Sequence, residues 1–175
     1  DQEGTVSGST RFSQSAQSIR TNIERKSLSA ERVYGVELQF DDAEYSSDGW
    51  TEKTDGQQLV SSIYAKQELV LNEKTLITIG GRLSHLDVDV LKQDGAGDTD
   101  LETEQQATAV EFAMVRQFEQ GTKVSLAANR NIRFATMDEQ QSSAVLPAAL
   151  EPQIGTGLNL GIAHRQKSMG FQAEV

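Results

Sequence analysis

Hydrophobic and polar positions alternate along much of this chain with a period of two. In "TLITIGGRLS" (75–84), Ile77, Ile79, Gly81 and Leu83 fall on one face, and Thr78, Gly80, Arg82 and Ser84 on the other. In "ERVYGVELQF" (31–40), Tyr34, Val36, Leu38 and Phe40 oppose Val33, Gly35, Glu37 and Gln39. Val110, Phe112 and Met114 align within 107–118, and Val124, Leu126 and Ala128 within 123–134. Further segments are 57–71, 154–165 and 169–175, with weakly patterned ones at 4–13 and 18–27. Period-two runs of this length predict strands, about nine in all. No helical stripe persists beyond about two turns.

The connections alternate as well. Short polar turns at "NEK", "EQGT" and "QKS" are interleaved with polar excursions near 41–56, 92–106 and 135–152, the last holding both prolines, Pro147 and Pro152. Short turns on one side and long loops on the other are the habit of outer-membrane barrels. The apolar faces are also brief, which suits tilted strands of about 9–11 residues crossing hydrocarbon. On this reading Ile79 and Leu83 meet lipid, Arg82 points into a wet lumen, and Gly80 and Gly81 relieve crowding where a strand bends. Past His85 the alternation changes phase and the sequence turns acidic, as a strand leaving the membrane would.

A soluble all-β sandwich serving as a binding or adhesion module is the competing reading. It places Ile77, Ile79, Val110, Phe112, Val124 and Leu126 against one another across about 10 Å. The barrel turns the same residues outward. A third reading is an outer-membrane pore or assembly substrate of another kind.

Composition narrows the choice. At 175 residues the chain has the length of one domain, and 1–175 is read as part of one barrel domain. Its 26 acidic and 16 basic residues give a net charge of -10, without the basic stripe that nucleic acid requires. There is no cysteine, which removes disulfides and thiolate metal sites. No apolar run approaches the roughly 18 residues of a helical span, a test that barrel strands escape. The chain starts at Asp1 without a visible signal peptide, which suggests a mature or excised piece of something longer. Aromatics make up only 6%, so Tyr34, Phe40, Tyr45, Tyr64, Phe112, Phe118, Phe134 and Phe171 would form a sparse interfacial girdle.

Candidate chemistry is thin. Asp94, Asp98, Asp100 and Glu102 offer the oxygens that calcium favours, but their spacing is not that of a calcium loop, and a solvated loop is the plainer reading. His85 and His164, each at a strand end, lack partners at metal-ligand spacing. Trp50 is a girdle or loop-packing residue, or else an aromatic ligand platform on a loop. No nucleophile elbow, phosphate-cradling loop or paired-carboxylate signature stands out, so no enzyme activity, catalytic residue, metal or cofactor is expected.

Three segments together resemble the barrel of TonB-dependent outer-membrane receptors. "SSIYAKQELVLNEKTLITIGGRLSHLD" is similar to that family's Tyr-Ala-Gln hairpin leading to Gly-x-Arg-Tyr, with Tyr64, Ala65, Gly81 and Arg82 matching. "NRNIRFATMDEQ" resembles its Arg-Ala-Pro-Thr-x-x-Glu segment through Arg133, Thr136 and Glu139, although Ala135 stands where proline is usual. "ALEPQIGTGLNLGIAHR" resembles its Leu-Lys-Pro-Glu segment and the following strand through Leu150, Pro152, Leu160 and Gly161; Gln153 and Asn159 replace acids. The matches keep the family's order across 57–175. The resemblance implies a plugged barrel of about 22 strands. Such a receptor lies in outer-membrane lipid and imports a scarce ligand of siderophore, cobalamin, sugar or peptide class. Its energy arrives through TonB, which contacts a plug segment not found in this chain. Arg82, Arg133 and Glu139, as lumen charges, are candidates to contact a plug or an anionic ligand, with structural pairing in the lumen the plainer reading.

Overall fold

A computed structural model of the chain describes residues 9–47, 52–95, 97–142, 150–166 and 169–174. Eight strands run in chain order: β1 (Thr10–Lys26), β2 (Ala30–Ser47), β3 (Glu52–Asn72), β4 (Thr75–Asp94), β5 (Gly97–Gln117), β6 (Thr122–Arg133), β7 (Gln153–Gln166) and β8 (Met169–Glu174). Each pairs antiparallel with its sequence neighbours in one sheet ordered β1 to β8, and the sheet does not close on itself among the described residues. Among the described residues a short α-helix, α1 (Met137–Ser142), lies between β6 and β7, and a 3-10 turn (Glu119–Gly121) joins β5 to β6. Neither is long enough to cross a membrane.

The fold is an all-β transmembrane barrel segment, as the alternation predicts. The described parts of two expected strands, 4–13 and 18–27, belong to one: β1 runs unbroken from Thr10 to Lys26, while 4–8 lie outside the described residues, which hold eight strands against about nine expected. The described residues of the polar excursions at 41–56 and 92–106 are almost all strand, not loop; 48–51 and 96 lie outside them. The β4–β5 ladder pairs without interruption from Thr75↔Arg116 to Asp94↔Gly97, and β2–β3 reaches Ser47↔Glu52. Continued pairing satisfies backbone donors and acceptors that a loop would have to leave to water. The strands are consequently long. At about 3.3 Å per residue, the 20 residues of β4 reach roughly twice the hydrocarbon thickness.

Tight turns set the register at the short-turn end. Asn72 Oδ1 accepts a hydrogen bond from the Lys74 backbone N–H at 3.0 Å, and Ser27 Oγ accepts one from the Ala30 N–H at 3.1 Å. Such side-chain acceptors mimic a turn's own backbone bond. Gly121 closes the β5–β6 turn at φ +82, and a Cβ there would meet the Arg165 carbonyl.

With the register fixed, one face of the sheet reads Ile19 and Ile23 on β1, then Tyr34, Val36, Leu38 and Phe40 on β2. It continues through Ile63 and Leu83, Ile79 and Phe112, and Ala128 and Leu158. Its large aliphatics are open to the surroundings; Ile79 is 51% and Leu158 71% exposed. No second sheet faces them among the described residues. The sandwich reading fails here, because Ile79, Val110 and Phe112 remain uncovered. This outward belt occupies the short-turn half of the strands. Tyr34, Phe40 and Phe112 belong to it, and Phe118 sits at its edge under the Arg116 guanidinium, 5.1 Å from the ring centroid. Tyr64 lies instead on the opposite face, its ring filling the space above Gly35. Phe134 packs against an apolar cluster on that same face. The girdle is thus sparser than expected. Trp50 and Pro147 lie outside the described residues, as does the Phe171 side chain.

Candidate functional site

The inward face at belt height is polar and tied together. Register aligns Arg20 with Glu37, Glu37 with Ser62, and Ser62 with Ser84 across β1 to β4. Arg20 Nη2 meets Glu37 Oε1 at 2.8 Å, and Arg82 Nη1 meets Glu37 Oε2 at 2.9 Å. Arg82 also donates through Nη2 to Ser62 Oγ at 2.9 Å and through Nε to Ser84 Oγ at 3.2 Å. The two hydroxyls lie 2.9 Å apart. Arg82 therefore faces inward, as its parity requires, with its guanidinium fork spread over Glu37, Ser62 and Ser84. Charge-assisted bonds of this kind are the strong ones in a partly wet site. Gly80, on the same face, lies beneath the Glu111 side chain. Gly81 opens to the lipid side with no side chain close by.

Farther along the strands the inward face changes character. Leu86, Val88 and Val90 of β4 join Ala43 of β2 and Val60 of β3 in a buried cluster, flanked by Leu101 and Phe134. α1 lies against β2 and β3 and drops Met137, fully buried, onto this shelf. Full burial of a methionine side chain stabilises by about 1.5–3 kcal/mol. Gln140, 2% exposed, accepts a hydrogen bond from the Leu150 N–H at 3.1 Å, while Gln105 donates to the Leu150 carbonyl at 3.0 Å. Leu150 is thereby tied both to α1 and to β5.

Arg133 and Glu139 meet at the base of that segment. The guanidinium holds both carboxylate oxygens, at 3.0 and 2.8 Å, and its Nε donates to Gln153 Oε1 at 3.2 Å. Glu139 also accepts from the Thr136 N–H at 2.9 Å and from its hydroxyl at 3.2 Å. Thr136 precedes the helix and Glu139 is its third residue, the arrangement of a capping box. Arg133 first, and then the Thr136 amide, hold the Glu139 carboxyl down to about 2. The pair shapes the exit from β6. It is separate from Arg82, which stands on the belt-height network.

The acidic run is a strand face. Asp98, Asp100, Glu102 and Glu104 alternate along the outer side of β5, while Asp94 ends β4 opposite Gly97. The suspected calcium set of Asp94, Asp98, Asp100 and Glu102 does not converge; among the described residues the group whose ligand atoms come together is His85, Asp87 and Glu104. His164 is paired instead, its Nδ1 lying 2.9 Å from the Thr122 hydroxyl.

Sequence reasoning missed Arg20 and Glu37 as partners of Arg82, and Met137 as a core residue. Glu37 was legible as polar-face, but its neighbours depend on register between strands distant in sequence. The period-two spacing of acids in 98–104 was the available signal that this stretch is a strand.

No protein-family model matches the chain, and no curated protein matches its sequence. Among solved structures it is similar to the ferric yersiniabactin uptake receptor FyuA from Yersinia pestis, at 13% identity and a TM-score of 0.57 over 95% of this chain. The chain spans 28% of that receptor's length. It also aligns with the β domain of the Bordetella autotransporter BrkA, at 13% identity over 94% of this chain and 73% of that one, with a TM-score of 0.37. The likeness to FyuA is one of fold, that of an outer-membrane β-barrel.

Proposed function

We propose that this chain is part of the barrel of an outer-membrane receptor that takes up a scarce small ligand with energy delivered through TonB. The observation that carries the membrane half of the reading is the lipid-compatible belt from Ile19 to Leu158, backed by the ion-paired row of Arg20, Glu37 and Arg82. Aliphatics outside and charges inside are the order of a wet-lumened barrel and the reverse of a soluble domain. The receptor half is supported by the ordered likeness of 57–175 to TonB-dependent receptors and by the fold shared with FyuA. Loops would capture a ligand of siderophore, cobalamin, sugar or peptide class. A plug contributed by the rest of the protein would rearrange on engaging TonB, and the ligand would pass to the periplasm. The α1 helix suits such a receptor by covering part of the inner face at the end of the strands away from the short turns.

The experiment uses the full-length protein in cells. Labelled candidate ligands from each class are offered with and without a protonophore. The expected result is accumulation of one class that stops when inner-membrane energy is removed. Passage that persists without that energy would make the protein a passive pore. Recovery of the full-length protein in the aqueous fraction without detergent would remove the membrane reading altogether.

A further inference from the structure

The outer face just beyond the belt sets acids directly across from acids: Asp87 pairs with Glu104, and Asp89 with Glu102. Like charges in directly opposed positions destabilise a sheet. Elsewhere the fold offsets this. Glu44 and Asp55, also opposed, share Lys53 at 3.7 and 2.9 Å. Asp87 and Glu104 have no lysine or arginine within ion-pair range among the described residues. What they have is His85, two positions before Asp87 on the same face, with its Nε2 3.0 Å from Asp87 Oδ1. One ligand atom each from His85, Asp87 and Glu104 lies within 4.8 Å of the others. The remaining ring nitrogen of His85, Nδ1, is shielded from solvent without a hydrogen-bond partner.

We propose that His85, Asp87 and Glu104 bind a divalent transition-metal ion of the Zn2+ class. One imidazole and two carboxylates form a borderline donor set: imidazole favours zinc and its neighbours over calcium or magnesium. Three protein ligands with a position left open are a common zinc arrangement. The ion would sit between His85 Nε2 and Asp87 Oδ1, bound through a nitrogen lone pair and a carboxylate oxygen. It would also neutralise the opposed carboxylates and fasten β4 to β5. The site follows directly on Leu83, the last outward aliphatic of β4 before the strand enters water. A groove beside it is walled by Asp42, Gln57, Asp89 and Glu102 and adds negative potential that draws cations in.

The test uses untagged full-length protein in detergent, titrated with Zn2+ by calorimetry and metal analysis, alongside His85→Gln and Glu104→Gln. The wild type should bind one more Zn2+ than either variant, and Zn2+ should raise the melting temperature of the wild type alone. Equal stoichiometry in folded wild type and folded variants overturns the proposal. So does a site that takes Ca2+ and refuses Zn2+. If the variants do not fold, X-ray absorption at the zinc edge of the wild type decides. A shell of one imidazole nitrogen with carboxylate oxygens supports the site, and a shell of several imidazoles overturns it.

Discussion

Strands β2 to β5 cross two different solvents, and their two halves are built in opposite senses. In the short-turn half the outward face is aliphatic and the inward face carries Glu37, Ser62, Arg82 and Ser84. In the far half the inward face carries Ala43, Val60, Leu86, Val88 and Val90, and the outward face carries Asp42, Asp87, Asp89, Glu102 and Glu104. No backbone irregularity produces the exchange. The β4–β5 register is continuous through it, so the pleat keeps its parity while the residue pattern slips by one position between Leu83 and Leu86. Hydrocarbon selects which face is apolar in the first half. In the second half water lies outside, and the apolar side must find cover within, which α1 supplies through Met137.

The largest effect is expected from reversing the far half. Leu86→Asp places an unpaired charge in a fully buried position and should cost about 3–5 kcal/mol, read as a lower urea midpoint of the full-length protein in detergent. Ile79→Arg attacks the other half from outside. On the lipid face a guanidinium near mid-membrane costs about 2–4 kcal/mol, measured by folding into bilayers. Moving the arginine to the outward position of Asp89 should cost almost nothing and would supply the missing cation; an equal loss at both positions would refute the two-solvent account. Met137→Ala empties the shelf's cover at about 2 kcal/mol, the low end for a buried methionine because the segment can settle. Faster hydrogen exchange at α1, with the β1–β2 ladder unchanged, is the expected signature.

The smallest expected effect is acid loosening of α1. Glu139 has its pKa lowered to about 2 in the folded protein, beneath the ordinary glutamate value of about 4.3. Its ion pair with Arg133 therefore helps fully above that ordinary value and is lost as pH falls toward about 2. Exchange at the α1 amides should rise over that window, and Glu139→Gln should remove the pH dependence.

Much of this was legible from the chain itself. Period-two alternation named the outward residues of β2, β4, β5 and β6, and the phase change after His85 marked where β4 leaves the membrane. Both are local facts, because successive side chains of any strand point to opposite faces whatever the strand pairs with. The polar stretches at 41–47 and 97–106 were less legible. Their strand character comes from backbone pairing with a partner already in place rather than from their own propensity.

Which residues meet was decided only by the tertiary structure. Arg20, Glu37 and Arg82 come from three strands, and only the inter-strand register puts them in one network. His85, Asp87 and Glu104 converge for the same reason, with Glu104 brought opposite Asp87 by the β4–β5 ladder that runs to Asp94↔Gly97. Met137 carries no period-two signal in the sequence, and becomes core because α1 lies against β2 and β3 over the shelf. Parity is a property of one strand and is written in its residues. Contact is a property of strand pairs and of chain return, which a linear pattern does not specify.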